Sequence, residues 1–543
     1  MANVLIYGSD HLAYRIAEQL CAEGCVVSVI TRPGSWLAGA GLDNNQSGLC
    51  IAAFLSEAGT ATALLQAARI EQVETFFSVS DRDEANLGLA LAALELNPRL
   101  RVVLRQFNMR LGRLLEEYLP RCDVMSLSAL AAPTFALAAS TIGVRFAHNL
   151  GKDTLVLREE TIKMPLTNAS SSDSKVVVAL ERDKLHWFPS PDKVFEADTK
   201  LLVASTEREL PARPPAPPKH SEAKPPFQWR GQRILLGVIG YLVFVVICAS
   251  LYFHLRLGMS ALDALYFVIT TITSVGFGDF SLRDADALSK VIGILLMLSG
   301  VGITAVFFAL ITNSLVARQL AFEQGRVRQR VSDHTIVCGL GIIGLRVAEK
   351  LQQLGVPVVC VEKDEDNRFL TEARSRGIPV VIGNALQEQT LRYANIKQAR
   401  SLVVCSNPDH LNLEIALNAR SLRKEIPIVL RMFDPDLARR VVQHFRLDTT
   451  FSSAALVAPF FAAQATGATR LCSLQFHDRS LDFHQVKISR DEDLASIVKR
   501  YHGGLVAVVD AASHLRFEVE GSDTFKPESI VIITEAQTRQ NSA

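Results

Sequence analysis

An excess of either charge is the first thing this sequence lacks. Its 57 Lys and Arg residues are balanced by 56 Asp and Glu over 543 residues, a formal net charge of +1. Such a balance creates no field that would gather a polyanion, so no nucleic-acid partner is expected. Cysteine motifs are missing as well. The nine cysteines (Cys21, Cys25, Cys50, Cys122, Cys248, Cys338, Cys360, Cys405 and Cys472) form no CxxC pair and no Cys/His cluster at zinc spacing. They read as reduced, mostly buried thiols rather than a zinc module. The opening MANVLIYGSD has neither the basic start nor the long apolar run of a secretory signal, so no cleaved leader is expected. No recognisable catalytic constellation is present, which argues against an enzyme. No carboxylate group has calcium-site spacing either, and Asp409, Glu414 and Asp434 read as surface or capping residues.

Long apolar runs are present, and they lie in the middle of the chain. Ile234 to Phe253 and Val291 to Ala317 contain no charged residue, and each is long enough as a helix to cross roughly 30 Å of hydrocarbon. Lys219, Lys224, Arg230 and Arg233 precede the first run, and Arg318, Arg326, Arg328 and Arg330 follow the second. The connection holds only Arg256, Arg283 and Lys290. Basic residues collect on the cytoplasmic side, so both flanks and both termini are expected in the cytoplasm of a multi-pass inner-membrane protein. The connection contains SALDALYFVITTITSVGFGDFSLRDAD, too short for a third crossing and ending in glycines, which predicts a re-entrant helix and loop lining a polar path. Gly276 and Gly278 alternate with Val275 and Phe277, a pattern that lets successive carbonyls turn toward one axis.

After the second run, HTIVCGLGIIGLRVAEKLQQLGVPVVCVEKD reads as strand, glycine turn, helix and strand. Gly339 permits the tight turn, Gly341 lets backbone approach a pyrophosphate, and Gly344 lets the helix pack on the strand, with Ile342 and Ile343 opening the helix. Glu362, followed by Lys363, ends the next strand, where a carboxylate suits two ribose hydroxyls and favours NAD or an adenine nucleotide over NADP. The segments IPVVIG, ARSLVVCSN, IPIVLRMF and LDTTFSS continue a parallel sheet. The stretch from Asn86 lies without gaps on the stretch from Asn412, placing Arg105 on Arg431 and Pro133 on Pro459, so the chain holds two copies of one domain. In the first copy GSDHLA replaces GLGIIG. Asp10 therefore stands for Gly341 and Thr31 for Glu362, and the first nucleotide site reads as damaged. Residues 176 to 206 match 505 to 535 in strand pattern, with Phe195 on Phe525, and LPARPPAPPKHSEAKPPF forms an extended linker.

At SVGFGD the chain resembles the potassium-channel signature TVGYGD, and its two spans around a pore loop are similar to prokaryotic two-transmembrane-helix potassium channels. Its flanking halves resemble RCK domains, the TrkA-like regulators of conductance of potassium. The implied fold class is α/β: two Rossmann-like RCK domains, each with a small β-rich C-terminal lobe, plus an all-α two-helix transmembrane pore domain with a re-entrant pore loop. The corresponding division is 1–140 for the first RCK domain, 141–206 for its lobe and 207–230 for the linker. The pore domain follows at 231–318 (helix 231–255, pore helix and filter 260–280, helix 288–317), then a gating linker at 319–333, the second RCK domain at 334–470 and its lobe at 471–543.

The resemblance implies a selectivity filter at Thr273, Ser274, Val275, Gly276, Phe277, Gly278 and Asp279, with K+ held at Ser274, Val275, Gly276 and Phe277. Ser274 for Thr and Phe277 for Tyr are departures that remove a methyl and a hydrogen bond behind the filter. Gly300 or Gly302 is a candidate inner-helix hinge, with close helix packing as the alternative role. The family also implies a homotetramer in the membrane lipid, with eight RCK domains in a gating ring that binds a small nucleotide (NAD, ADP or ATP), and Ca2+ is a ligand of some relatives. Family sites use a GDA turn. GNA here puts Asn384, with Ala385, at that contact. Two other readings remain open from the residues: a membrane-anchored NAD-dependent oxidoreductase, and a membrane-anchored nucleotide-binding regulatory subunit of a potassium uptake system.

Overall fold

The computed structural model describes residues 2–32, 51–56, 60–168, 173–182, 184–211, 213, 229–323, 331–433, 435–445, 447, 449–467, 470–488, 492–493, 496–497, 499, 504–510, 512–518, 524–525 and 529–537. These fall into two compact units, one built from Met1–Ala216 with Arg328–Ala543 and the other from Pro217–Val327.

The larger unit holds two parallel six-stranded sheets of identical order. The first runs Ile51–Ser56, Val26–Thr31, Asn3–Tyr7, Thr75–Ser78, Arg101–Arg105, Cys122–Met125, and the second runs Val380–Ile382, Val358–Glu362, His334–Cys338, Ala399–Val404, Ile428–Arg431, Thr449–Phe451. Their strands are apolar on both faces, as a sheet covered on both sides requires. A buried asparagine ties each copy internally. Asn86 Nδ2 donates to Ser80 O (2.9 Å) and Arg105 O (3.1 Å), and Asn412 Nδ2 donates to Ser406 O (2.8 Å) and Arg431 O (2.9 Å).

The copies differ from two independent domains in how each is closed. Helix Leu127–Ser140 ends the first sheet, yet it packs on helix Ile342–Gln353 and on strands Ala399–Val404 and Ile428–Arg431 of the second copy. Helix Ser453–Thr466 returns the exchange by packing on His11–Ala22 of the first. Both closing helices are apolar around most of their circumference, the composition of a helix enclosed on all sides. Phe135 from the first helix meets Phe451 of the second copy edge to face at 5.4 Å, and both rings lie in one core shared by the two copies.

Each closing helix leads into an antiparallel five-stranded lobe. The lobes have matching strand order and share a core that includes Phe146, Leu155, Phe476 and Phe483. A two-stranded ribbon in each carries the aligned Phe195 and Phe525, both buried. Across the lobe junction Lys152 N donates to Ser513 O (2.8 Å) and Lys175 Nζ to Leu505 O (3.0 Å). His148 of the first lobe stacks on Phe460 of the second closing helix at 4.3 Å, and burial pushes its pKa down to about 4.

The smaller unit is three helices, Trp229–Leu257, Ala261–Ile272 and Ala287–Glu323. Ser260 caps the short one, accepting from Asp263 N while its hydroxyl donates to Asp263 Oδ2 at 2.7 Å, a reciprocal cap written into the sequence S-x-x-D. Phe253 and Phe267 cross edge to face at 5.1 Å at the centre of the unit. Elsewhere the two long helices expose their apolar side chains, Leu236 and Leu298 by about two thirds, so they are not the buried core helices of a soluble domain. The last helix runs to Glu323, into the segment expected as a gating linker, because LVARQLAFE (315–323) offers no Gly or Pro stop and most of its residues are good helix formers. Residues 324–330 of that linker, and most of the proline-rich stretch, lie outside the described residues.

Because the copies are closed by each other's helices, Phe135→Ala is expected to lower the unfolding free energy by about 3–5 kcal/mol and to weaken both halves in a single denaturant transition. Two separable transitions, with only the first copy affected, would contradict the shared core. His148→Gln is expected to flatten the fall in stability as pH drops from 6.5 toward 4, because a histidine buried neutral opposes the proton that the unfolded chain accepts in that window. An unchanged pH slope contradicts the burial of that ring.

Candidate functional site

The second copy gathers its sequence-predicted residues at the C-terminal edge of the sheet, where parallel α/β sheets bind ligands. Gly339 adopts φ +91°, and a Cβ there would press on Ser406 N at 2.9 Å. Gly344 is equally constrained, since a Cβ would lie 2.0 Å from Gly339 O. Gly341 caps helix Ile342–Gln353 without a side chain, and nothing lies within 4 Å of the space its Cβ would fill. The turn therefore presents the helix N-terminus to open space, an arrangement suited to a phosphate. Glu362 fastens the next strand to this turn. Its Oε2 accepts from Leu340 N (2.8 Å), and Oε1 accepts from Lys363 N (2.8 Å) and Asp364 N (3.0 Å). Carboxylate oxygens carry further lone pairs, so these bonds still leave acceptors for hydroxyl groups. Asn384 is brought alongside, since Gly383 N donates to Glu362 O (2.7 Å), and Asn384 Oδ1 accepts from Leu386 N (3.0 Å). Its amide then offers a donor where a carboxylate would offer an acceptor, and Ala385 lies buried beneath.

Residues beyond the motif also converge here. Arg431, at the end of strand Ile428–Arg431, donates to Asn407 Oδ1 (3.1 Å), to Ser453 Oγ (3.2 Å) and, more weakly, to Cys405 O (3.4 Å). Among the described residues it has no ion pair, and burial lowers its pKa from the ordinary arginine value. Asp409, expected as a surface or capping residue, is half-buried, and its carboxylate accepts from Phe433 N (2.8 and 2.9 Å). That holds Phe433 against His11 of the first copy, ring centroids 4.7 Å apart. The repeat does the same in reverse. Asp83 accepts from Phe107 N (3.0 Å), and Phe107 lies against Phe369 (5.3 Å) and under the Arg346 guanidinium (5.0 Å) beside the second copy's turn. Glu414 is exposed, and Asp434 lies outside the described residues. No group of three or more metal-ligating side chains occurs among the described residues.

The pore-like loop follows helix Ala261–Ile272, whose carbonyl end carries about half a negative elementary charge and favours a cation beside it. Ser274 N donates to Thr271 O (3.2 Å), and Val275 N (3.0 Å) and Gly276 N (3.3 Å) both reach Thr270 O. Positive φ then recurs at every second residue: Ser274 +60°, Gly276 +53° and Gly278 +87°, with Val275 and Phe277 between them not so twisted. Alternating handedness turns successive peptide units the same way, which is how one strand aligns its carbonyls. At Gly276 and Gly278 no atom crowds a Cβ, so the torsion itself is what selects glycine. Ser274 holds the same conformation at a cost of about 1–2 kcal/mol.

The loop borders a cavity of ≈ 340 Å³ lined in part by Thr270, Thr271, Ser274, Met297 and Val301. Val275 and Phe277 are 53% and 72% exposed, so the single chain leaves most of their surface uncovered. One support was not foreseen. Tyr266, on the short helix, donates its hydroxyl to Asp279 Oδ2 at 3.0 Å and ties down the far end of the loop. Of the two inner-helix glycines, Gly300 packs tightly, since a Cβ would meet Ile272 O at 2.5 Å. Gly302 has nothing within 4 Å.

Known proteins share these parts. The TrkA-N domain family matches residues 4–119 and 335–452, and the ion channel family matches residues 240–317. A "Probable potassium channel protein 2" of Methanocaldococcus jannaschii is 27% identical over 247 residues, 43% of this chain and 67% of that protein. An uncharacterized protein of Methanothermus fervidus is 32% identical over 206 residues, 36% of this chain and 31% of that protein. The chain thus spans 31% to 67% of the length of these relatives. Among solved structures, the "GsuK channel bound to NAD" is 15% identical with a TM-score of 0.48, covering 98% of this chain and 76% of that one.

Tyr266→Phe removes one hydrogen bond and is expected to loosen the loop by about 0.5–1.5 kcal/mol. Amide hydrogen exchange at Gly278 and Asp279 should accelerate by roughly twofold to tenfold. Exchange at the wild-type rate would show that Tyr266 is no anchor.

Proposed function

We propose, for a chain homologous to the prokaryotic potassium channels that carry RCK domains, that it is the subunit of a potassium-selective channel gated by a nucleotide bound to its second RCK copy. The alternation of φ at Ser274, Gly276 and Gly278 carries the pore reading, because it is the backbone of a strand that offers carbonyls to a dehydrated cation. Ser274, Val275, Gly276 and Phe277 supply the K+ sites, with Thr273, Gly278 and Asp279 at the ends of the filter. One such strand surrounds only a fraction of an ion. A homotetramer completes the ring, and neighbouring chains cover the exposed Val275 and Phe277.

Four chains bring eight RCK domains to a ring on the cytoplasmic side, with both termini there and the two long apolar helices in the lipid. The ligand is NAD or an adenine nucleotide. Its phosphates lie on the Gly341 turn and Ile342–Gly344, and its ribose hydroxyls at Glu362, a placement supported by the open space at Gly341 and the carboxylate across from it. The nucleotide is a gating ligand rather than a substrate. It moves the gate only to the extent that it binds the open and closed rings unequally. The inner helix, unbroken from Ala287 to Glu323, is the mechanical output, and Gly302 rather than the packed Gly300 is where it bends.

Planar-bilayer recording of the purified chain tests this. A reversal potential that follows the potassium gradient in a potassium–sodium mixture is expected, as is an open probability that changes with added NAD or ADP. Gly341→Asp should abolish the nucleotide response while leaving potassium selectivity. A silent bilayer, across NAD, ADP, ATP and calcium, would instead fit a regulatory subunit that serves a separate transporter.

A further inference from the structure

The first copy keeps the strand and helix of a dinucleotide turn, yet one of its own side chains already occupies that turn. Asp10 Oδ1 accepts from Leu12 N (3.1 Å) and Ala13 N (3.2 Å), the N–H groups that a helix N-terminus otherwise offers to a phosphate. Its second oxygen, Oδ2, lies 2.5 Å from Arg105 Nη1, and the same nitrogen donates to Val79 O at 3.1 Å. A carboxylate held between a helix N-terminus and a guanidinium has the charge and the acceptor geometry of a bound phosphate. The backbone has changed with it. Gly8 lacks the positive φ of its counterpart Gly339, and Ala13 stands where Gly344 is sterically required. Thr31, buried at the end of the next strand, offers no carboxylate to a ribose.

The second copy has the complementary arrangement. Gly341 leaves the turn uncapped by any side chain, and Arg431, the counterpart of Arg105, has only neutral hydrogen-bond acceptors among the described residues. One copy therefore has an arginine bonded directly to a carboxylate, and the other has an arginine whose direct hydrogen-bond partners are all neutral, with the Asp409 and Asp10 carboxylates acting on it only through space. The two arrangements meet where the copies join, since His11, the residue after Asp10, stacks on Phe433, which lies over the Arg431 guanidinium at 4.3 Å.

We propose that Asp10 decides which copy takes a nucleotide: its carboxylate stands in for the ligand's phosphate and keeps the first copy permanently filled, so each chain binds one nucleotide, through the second copy alone. This rests on the reading of Gly339 to Glu362 as a nucleotide site. A ring of four chains then takes four ligands rather than eight, and every binding event acts on one half of an interlocked pair whose other half stays constant.

Calorimetric titration of the full-length protein in detergent with ADP, and separately with NAD, is expected to give one site per chain. Gly341→Asp copies the Asp10 device into the second turn and should remove that site. In this background Asp10→Gly with Ala13→Gly and Thr31→Glu should open one new site, in the first copy. A second readout covers the case in which the combined variant is too unstable to titrate. With inorganic pyrophosphate as the probe, the thermal midpoint of Asp10→Gly/Gly341→Asp should rise with concentration while that of Gly341→Asp alone stays flat. Two sites per chain in the wild type, or no pyrophosphate-dependent rise after Asp10→Gly, overturns the proposal. Absence of any ADP or NAD binding in the wild type overturns the nucleotide reading itself.

Discussion

The exchange of closing helices is the constraint on which the regulatory unit depends. Leu127–Ser140 and Ser453–Thr466 each leave the sheet that precedes them and cover the neighbouring copy. Neither sheet has both faces buried without the other copy, and a parallel sheet exposed on one face would present apolar strand residues to water. The two copies are therefore one body joined by a shared core, with a further core on the other face of each sheet, rather than two domains on a tether. The lobes that follow the exchanged helices also share a core, so the coupling extends to the far end of the unit. A change of shape at one nucleotide turn cannot be absorbed within its own copy, because the helix packed beside that turn belongs to the other. Packed interfaces of this kind have a few discrete arrangements rather than a continuum, which is what a switch needs.

Within that body the two turns have diverged in charge. Asp10 pairs directly with Arg105 beside the helix N-terminus, whereas Arg431 hydrogen-bonds only neutral groups and feels the Asp409 and Asp10 carboxylates through space, and a buried guanidinium with no direct counter-ion favours an arriving anion. Asp10, with Ala13 for Gly344 and Thr31 for Glu362, is what sets the first turn apart within an otherwise repeated fold. The aromatic contacts at the junction, His11 with Phe433 and Phe107 with Phe369 and Arg346, place each turn against a ring donated by the other copy.

Much of this was legible in the residues. The strands at βα spacing, the glycine turn, the repeat and the two membrane-length helices are patterns along the chain, and such patterns survive reading in one dimension. The destination of the closing helices was not legible. A helix apolar on nearly all sides says that it is enclosed, but not by which sheet. Arg431 is visible as the aligned partner of Arg105, but its lack of a direct ion pair among the described residues emerges only in three dimensions. Asp409 looked like a surface acid because its partner, Phe433 N, lies on another element. Tyr266 and Asp279 were separated by the whole filter loop, and only a structure brings them to 3.0 Å. Ser274 defied propensity: a non-glycine residue in the left-handed region is a local exception that the alternation of the loop imposes.

A carbonyl-lined pore and an asymmetric nucleotide sensor, as proposed here for one chain, can be coupled only if each ligand state biases the same equilibrium. Nucleotide affinity measured on the full chain in lipid, once with the pore held open and once with it held shut, tests that coupling most directly. Different affinities for NAD or ADP are expected in the two states, with a ratio equal to the factor by which the same nucleotide shifts the open–closed equilibrium. Equal affinities in both states would mean that the second RCK copy binds its ligand without gating the pore.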